Sequence, residues 1–313
     1  ADILRLWVSS EDYRDDIKVW GEILKRLAEA YRKIRNTVRY MLGNISDFSP
    51  AKDMVAVADM PEIDQWAISR FELVKRRVMK AYESFEFHTV FHTLYHFCTV
   101  TMSAFYLDIL KDRLYTELDS SPARRSAQTV LYEILDGMIR LMAPVLTFTA
   151  AEVWNHLPAD AGREENIFLA SFPPLKDGNL NKELNTTWER LQDVRAEITK
   201  VLEVARQDKI IGHPLEAEVW LAVPADLADF LADKWQTLET ICIVSKLHRV
   251  ETAPKGAMAS AEIPGLAILV KSASSKKCER CWMRSKTVGE NSDHPTICGR
   301  CSSVIAQIEP AGE

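Results

Sequence analysis

At 313 residues the chain is too long for one ordinary core and has room for two or three domains. Apolar residues make up 47% and charged residues 27%, with 11 Gly and 13 Pro, which excludes collagen-like and low-complexity chains. The net charge of -6 excludes a protein that coats nucleic acid indiscriminately, but it leaves room for a specific RNA binder with local basic patches. No run reaches the roughly 18 to 20 uncharged apolar residues of a membrane helix, so no membrane partner is expected. The start at Ala1, without a methionine or a basic-then-apolar leader, reads as a fragment or a processed product.

In chain order, Ile23, Leu27, Tyr31, Ile34, Val38, Met41 and Leu42 step by three and four, one face of a helix that Gly43-Asn44 should stop. A second helix carries Ala67, Phe71, Val74, Val78 and Tyr82. A third runs from Phe87 through Leu94, Cys98 and Met102 to Ile109, before the break at Ser121-Pro122. A fourth holds Val130, Leu131, Ile134, Leu135, Met138 and Met142. Thr149-Ala150-Ala151-Glu152 has the form of a capping box opening a short helix. Long amphipathic helices with short loops predict a bundle.

Beyond loops at Phe172-Pro173-Pro174 and Asp177-Gly178-Asn179, Thr186-Thr187-Trp188-Glu189 should cap a helix bearing Trp188, Leu191, Val194, Ile198, Val201 and Ala205. Strands are expected at Ala217–Val223, Ile241–Ser245 and Ile268–Val270, with a helix from Pro224 to about Leu238, which makes a small α+β unit. Lys271–Lys277 reads as a polar linker. The fold class is therefore mainly α: a helical bundle, a small α+β domain and a C-terminal four-cysteine ribbon. The boundaries fall at 1–175, with 1–20 as a connection, then 176–272 and 273–313.

Cys278, Cys281, Cys298 and Cys301 are spaced C-x2-C-x16-C-x2-C. Each C-x-x-C turns two thiolates toward one ion, and four thiolates close a tetrahedral zinc shell with no open catalytic position. One structural Zn²⁺ per chain is expected. Redox pairs of this type occur singly, beside a βαβ pattern. Trp282 follows the second ligand, between Arg280 and Arg284. It could stack on a base while the cations meet phosphate, or it could cover the metal while the cations compensate the thiolates.

Several segments resemble bacterial isoleucyl-tRNA synthetases in order. Ala1–Val8 resembles the stretch after that family's K-M-S-K-S loop, and Tyr31–Asn44 the helix opening its anticodon-binding domain. Phe105–Asp108, Lys111–Tyr115, Arg125–Leu131, Glu152–Trp154, Ile211-Gly212 and Leu215–Ala217 follow. Lys277–Trp282 with Cys298–Cys301 resembles the family's zinc module. The resemblance covers essentially the whole chain, yet H-I-G-H and K-M-S-K-S are both absent. It therefore implies a C-terminal part that recognises the anticodon of tRNA(Ile). Catalysis, ATP with Mg²⁺, and editing would belong to missing domains of the same cytoplasmic, monomeric ligase, and the part alone would be inactive.

Candidate RNA contacts are Arg280 and Trp282, together with Arg32, Arg35, Asn36 and Arg39, which lie opposite Tyr31, Ile34 and Val38. Arg70, Lys75, Arg76, Arg77 and Lys80 form a second basic run that reads better as surface. His88, His92 and His96 step by four but lack the Glu of H-E-x-x-H, so they read as the border of a buried face. Cys98 and Cys242 read as small core residues. No catalytic side chain is assigned. Two rivals stand beside the synthetase reading. One is a repair enzyme of the formamidopyrimidine-DNA-glycosylase type, which also ends in a four-cysteine finger but needs an N-terminal Pro-Glu where this chain has Ala1-Asp2. The other is a non-enzymatic helical interaction protein with a zinc tail.

Overall fold

The spacing of Ile34, Val38 and Met41 becomes a buried stripe on one long helix in the computed structural model, which describes residues 1–14, 16, 19–160 and 162–308. Asp15, Ile17 and Lys18 of the expected connection lie outside the described residues. The chain divides into two compact units, Ala1–Asn185 and Thr186–Glu313.

The first unit is helical: α1 (Asp2–Ser10), α2 (Gly21–Asn44), α3 (Pro50–Asp53), α4 (Glu62–Glu83), α5 (Phe87–His96), α6 (Leu107–Thr116), α7 (Pro122–Met142) and α8 (Thr147–Trp154). Phe97–Tyr106 joins α5 to α6 as π-helix, so the third predicted pattern is one continuous rod. The core lies along α7, where Val130, Leu131, Ile134, Leu135 and Met138 are fully covered. Ser121 caps α7 by accepting from the Arg124 N–H at 3.2 Å, and Pro122 takes the first turn, where its missing donor costs nothing. Helix α4 lies so close that a Cβ on Gly137 would stand 2.7 Å from the Phe71 ring.

This core also contains a charge. The buried Asp64 carboxylate accepts from Arg113 Nη2 at 2.6 Å and Nη1 at 2.9 Å, from the Tyr106 hydroxyl at 2.7 Å and from Ser126 Oγ at 2.6 Å. Its lone pairs are met by donors on α6, α7 and the π-helical segment. That is the condition under which a buried ion is tolerated.

Two local readings in this unit are corrected. Gly43 and Asn44 stay inside α2, and Gly43 does not adopt a positive φ. The helix does end at Asn44, and the next residue, Ile45, is fully buried. The box at Thr149 does not start α8, which begins at Thr147. Its cap is the distant carboxylate of Asp2, which accepts from the Thr149 N–H at 2.8 Å, the Thr149 hydroxyl at 2.5 Å and the Phe148 N–H at 3.3 Å. A negative charge there also suits the positive end of the helix dipole.

Helix α9 (Lys182–Gln207) starts four residues before the expected box, because Asn181 Oδ1 accepts from the Leu184 N–H at 2.9 Å. Its residues from Thr186 onward belong to the second unit. There Trp188, Leu191, Val194 and Ile198 are buried as expected. The unit continues with β1 (Ala217–Ala222), α10 (Ala225–Phe230), α11 (Trp235–Cys242), β2 (Lys246–Val250), β3 (Met258–Ala259), β4 (Ala267–Ser272) and α12 (Gly299–Ile308). The sheet order is β2-β1-β4-β3, with β1 parallel to β2 and antiparallel to β4. Val219 stands opposite Leu247 and Val270, all buried.

The strand expected at Ile241–Ser245 is not a strand. Ile241 and Cys242 end α11, Ile243 turns at φ 55°, and pairing starts only at Lys246. A short β-branched run packs equally well at a buried helix end, so the pattern does not separate the two. The helix expected from Pro224 to Leu238 is α10 and the start of α11, separated by a turn. Strand β3 carried no alternation to reveal it, since both its residues are exposed. The expected linker is also structured. Lys271 and Ser272 close β4, and Ala273 donates to the Glu216 carbonyl at 2.8 Å.

Candidate metal centre and nucleic-acid interface

Two knuckles bring the four cysteines together. In the first, Lys277 bridges Arg284, the Cys278 N–H donates to the Met283 carbonyl at 2.9 Å, and the Trp282 N–H donates to the Cys278 carbonyl at 2.9 Å. The second opens directly into α12: the Gly299 N–H is held by Thr287 Oγ1 at 3.0 Å, and the Ser302 N–H by the Cys298 carbonyl at 2.9 Å. The expected ribbon therefore ends in a helix, and before it the described residues from Lys277 onward pair as strands only at that one bridge. Val288 and Ile297 close a small core around the sulfurs, with Met283 and Ile305 packed against it.

All four sulfurs lie within 4.8 Å of one another, and those of Cys281 and Cys298 are 3.8 Å apart. A disulfide needs about 2.05 Å. A tetrahedron with Zn–S bonds of about 2.3 Å has edges of about 3.8 Å, so the donor set fits zinc. Burial works against the thiolates of Cys278, Cys281 and Cys301. At Cys278 the N–H groups of Cys281, Cys298 and Arg280 outweigh it and hold the thiol down to about 6. At Cys281 and Cys301 burial dominates and pushes the thiols up. Four sulfurs this close cannot all ionise unless a cation sits among them.

The neighbours of the ligands divide. Arg280 is half-buried and hydrogen-bonded through its side chain to Cys301, so it compensates the sulfur charge whatever else it does. Arg284 is held by its backbone N–H to Ser245 Oγ at 2.7 Å and by its guanidinium to the Ser275 carbonyl at 3.3 Å. Trp282 is 56% exposed. Its backbone is left-handed at φ 66°, a strained setting for a bulky residue, and Lys277 Nζ stands 5.1 Å from the ring centroid. The indole therefore projects from the module and does not cover the sulfurs.

On α2, Arg32, Arg35, Asn36 and Arg39 are all exposed, opposite the buried Ile34, Val38 and Met41. Arg32 pairs with Glu29 at 2.9 Å and Arg35 with Glu152 at 3.7 Å, while Arg39 has no ion pair among the described residues. The second basic run is partly internal. Lys75 is buried, 2.6 Å from the buried Glu72 and 2.7 Å from the Pro174 carbonyl, and Arg76 pairs with Asp177. Sequence reasoning did not find Glu72, which also accepts from the Lys176 N–H at 2.8 Å, about a hundred residues away. Cys98 and Cys242 are core residues, and burial pushes each thiol up to about 12. His88 is half-buried, but His92 and His96 are exposed, not at the border of the core.

Residues 64–221 match the family described as the anticodon-binding domain of tRNA ligase, and the chain belongs to that family. Residues 275–304 match a zinc finger found in FPG and IleRS. At finer grain, the chain is similar along almost its whole length to isoleucine–tRNA ligases. It is 50% identical over 313 residues to that of Desulfotalea psychrophila, covering 99% of this chain and 33% of the relative. It is 47% identical to that of Moorella thermoacetica (98% and 33%) and 47% to that of Geobacter sulfurreducens (97% and 33%). The chain thus spans about a third of the length of these relatives. The finger alone is shared with repair enzymes. The anticodon-binding match and these relatives favour the ligase reading over both rivals. No helix among the described residues is long and apolar enough to cross a membrane.

Proposed function

We propose that this chain is the C-terminal, anticodon-recognising part of an isoleucine–tRNA ligase and that its partner is tRNA(Ile). Residues 1–175 form the helical anticodon-binding domain, 176–272 a small α+β domain and 273–313 the metal module. Cys278, Cys281, Cys298 and Cys301 hold one structural Zn²⁺, which supplies charge balance and rigidity but no open position for chemistry. Activation of isoleucine with ATP and Mg²⁺, transfer and editing belong to the remaining two thirds of a cytoplasmic, monomeric enzyme. These 313 residues contain neither nucleotide-binding signature of the family.

The observation that carries the reading is Trp282, an exposed indole on a knuckle whose backbone the metal would fix. A pre-set aromatic loses little freedom on binding and offers a π-face to an unstacked loop base. Arg32, Arg35, Asn36 and Arg39 supply a backbone-type contact on the first unit, and Arg280, which holds Cys301, supplies one on the second. Trp282→Ala should weaken tRNA(Ile) binding by about 1 to 3 kcal/mol without loss of zinc. Arg280→Ala should weaken it with a shallower salt dependence. The assay is affinity for tRNA(Ile) against the same tRNA with a changed anticodon, alongside elemental zinc. Full zinc with unaltered affinity in Trp282→Ala would remove the module from the RNA surface. Equal affinity of the unmodified chain for both tRNAs would end the anticodon reading.

A further inference from the structure

The segment Lys271–Lys277, expected as a polar linker, is tied to its surroundings along its length. The Ala273 N–H donates to the Glu216 carbonyl at 2.8 Å, Arg284 Nη1 donates to the Ser275 carbonyl at 3.3 Å, and the Ser285 N–H donates to the Lys276 carbonyl at 3.0 Å. A mobile linker would leave these groups to water.

One hydroxyl joins three parts of the second unit. Ser245 is buried between the left-handed turn at Ile243 and the start of β2. Its Oγ accepts from the Arg284 N–H at 2.7 Å and donates to the Leu215 carbonyl, and its N–H donates to the Ala217 carbonyl at 3.0 Å. The turn Pro214–Glu216 before β1, the corner before β2 and the first knuckle therefore meet at a single side chain. A second tie lies beside it. The Glu216 carboxylate stands 3.7 Å from Arg284 Nη2 and accepts from the Gly212 N–H at 2.9 Å. Arg284 faces Lys277 across the isolated bridge, and the Lys277 ammonium lies over the Trp282 ring.

A metal fixes the turn between Cys278 and Cys281 but not the place of that turn on the domain. A pre-set aromatic keeps its advantage only if its support is rigid as well. We propose that Ser245 and Arg284 position Trp282 by fastening the first knuckle to the α+β domain, which couples metal loading to the order of the segments leading into β1 and β2. This rests on the zinc and tRNA readings above and adds to them a buried residue whose hydroxyl meets backbone groups only. Such coupling is reciprocal: the factor by which the clamp raises zinc affinity is the factor by which zinc favours the clamped state.

The test uses the 313-residue chain, with chelator competition for zinc, hydrogen exchange and affinity for a tRNA(Ile) transcript as readouts. Zinc removal should raise exchange about tenfold on peptides covering 211–217 and 244–248, and Ser245→Ala and Arg284→Ala should each weaken zinc binding about tenfold although neither residue is a ligand. At saturating zinc, Ser245→Ala should weaken tRNA(Ile) binding about tenfold with an unchanged salt slope, because no phosphate contact is lost. In the Trp282→Ala background it should have no further effect, since it acts through that ring. Ser245→Thr, which keeps the hydroxyl, should behave like the unmodified chain. Glu216→Gln keeps an acceptor for Gly212 and loses the charge facing Arg284, so it should give about a threefold loss in both affinities and reads the clamp even if Ser245→Ala fails to fold. Exchange at 211–217 and 244–248 that ignores zinc, or a Ser245→Ala effect additive with Trp282→Ala, would overturn the clamp. Full tRNA(Ile) affinity in Ser245→Ala and Glu216→Gln would also overturn it and leave the anticodon reading standing. An unmodified chain that takes up no zinc or binds no tRNA(Ile) would overturn the underlying reading and the clamp with it.

Discussion

Asp64→Asn removes one charge from the centre of the helical unit, and the structure sets its cost. Asp64 is fully buried and accepts four hydrogen bonds, two of them from the Arg113 guanidinium. An asparagine keeps one acceptor oxygen, which in the place of Oδ1 still accepts from both Tyr106 and Arg113 Nη2. Its amide nitrogen then faces Arg113 Nη1, a donor against a donor. Ser126 can rotate to accept, but the guanidinium cannot. The variant is left with a largely buried, unpaired cation, and removing one partner of such a pair costs about 3 to 5 kcal/mol. For a unit of this size that is a fall in melting temperature of about 6 to 20 °C. Hydrogen exchange on peptides from α4 and α7 reads this unit without interference from the second. Arg113→Leu in the Asp64→Asn background should recover part of the loss, because the uncompensated charge goes with it. A loss below about 1 kcal/mol, or strict additivity of the two substitutions, would show that water solvates the pair and that the network does not organise the core.

The metal-loaded chain should carry one zinc; chelation should raise exchange from about residue 275 onward while α7 stays protected, because so small a core cannot hold four thiols together alone. A protected tail with no zinc by elemental analysis would contradict this. Asp47 is held down to about 2 chiefly by the hydrogen-bonded Arg124 guanidinium, with burial opposing and Gln128 adding to the effect. Its folded value lies below the ordinary 3.8, so its contribution is complete above that pH and is lost as pH falls through about 2. Asp47→Asn should flatten stability between those limits, and an unchanged acid-unfolding profile would rule the contribution out. The 313 residues should show no ATP–pyrophosphate exchange with isoleucine, and exchange in a preparation free of longer enzyme would place nucleotide chemistry in this chain.

What could be read from the sequence was periodic or covalently close. The buried stripe of α2 and the crowded face of α7 follow from spacings of three and four, and the cysteine cluster from two C-x-x-C steps. The polar contacts that fix the bundle have no local trace. Asp2 reaches Thr149, and Asp64 reaches Tyr106, Arg113 and Ser126, across dozens of intervening residues or more. Where the local pattern was ambiguous, packing decided. Ile241 and Cys242 complete the buried side of α11, although their residue types favour a strand. At the metal module the sequence located the ligands but could not orient their neighbours. Trp282 follows Cys281 whether it covers the metal or projects from it, and only its left-handed backbone turns the ring outward.

The local placement of cations matters more in this chain than it would in a basic one. With a net charge of -6, the molecule as a whole does not attract a polyanion. At about 0.1 M salt, exposed charges are screened beyond roughly 10 Å, so an RNA feels the local field and little of the total. Arg39, which has no ion pair among the described residues, and the Lys277–Trp282 pair can each act at that range. Away from such places the acidic excess repels. A basic protein gains affinity for every RNA in proportion to its charge, and its specificity ratio falls accordingly. An acidic one that confines its cations gains only where shape brings phosphates and an unstacked base to those points together. On this physical ground the net charge and the proposed anticodon-recognising role are compatible.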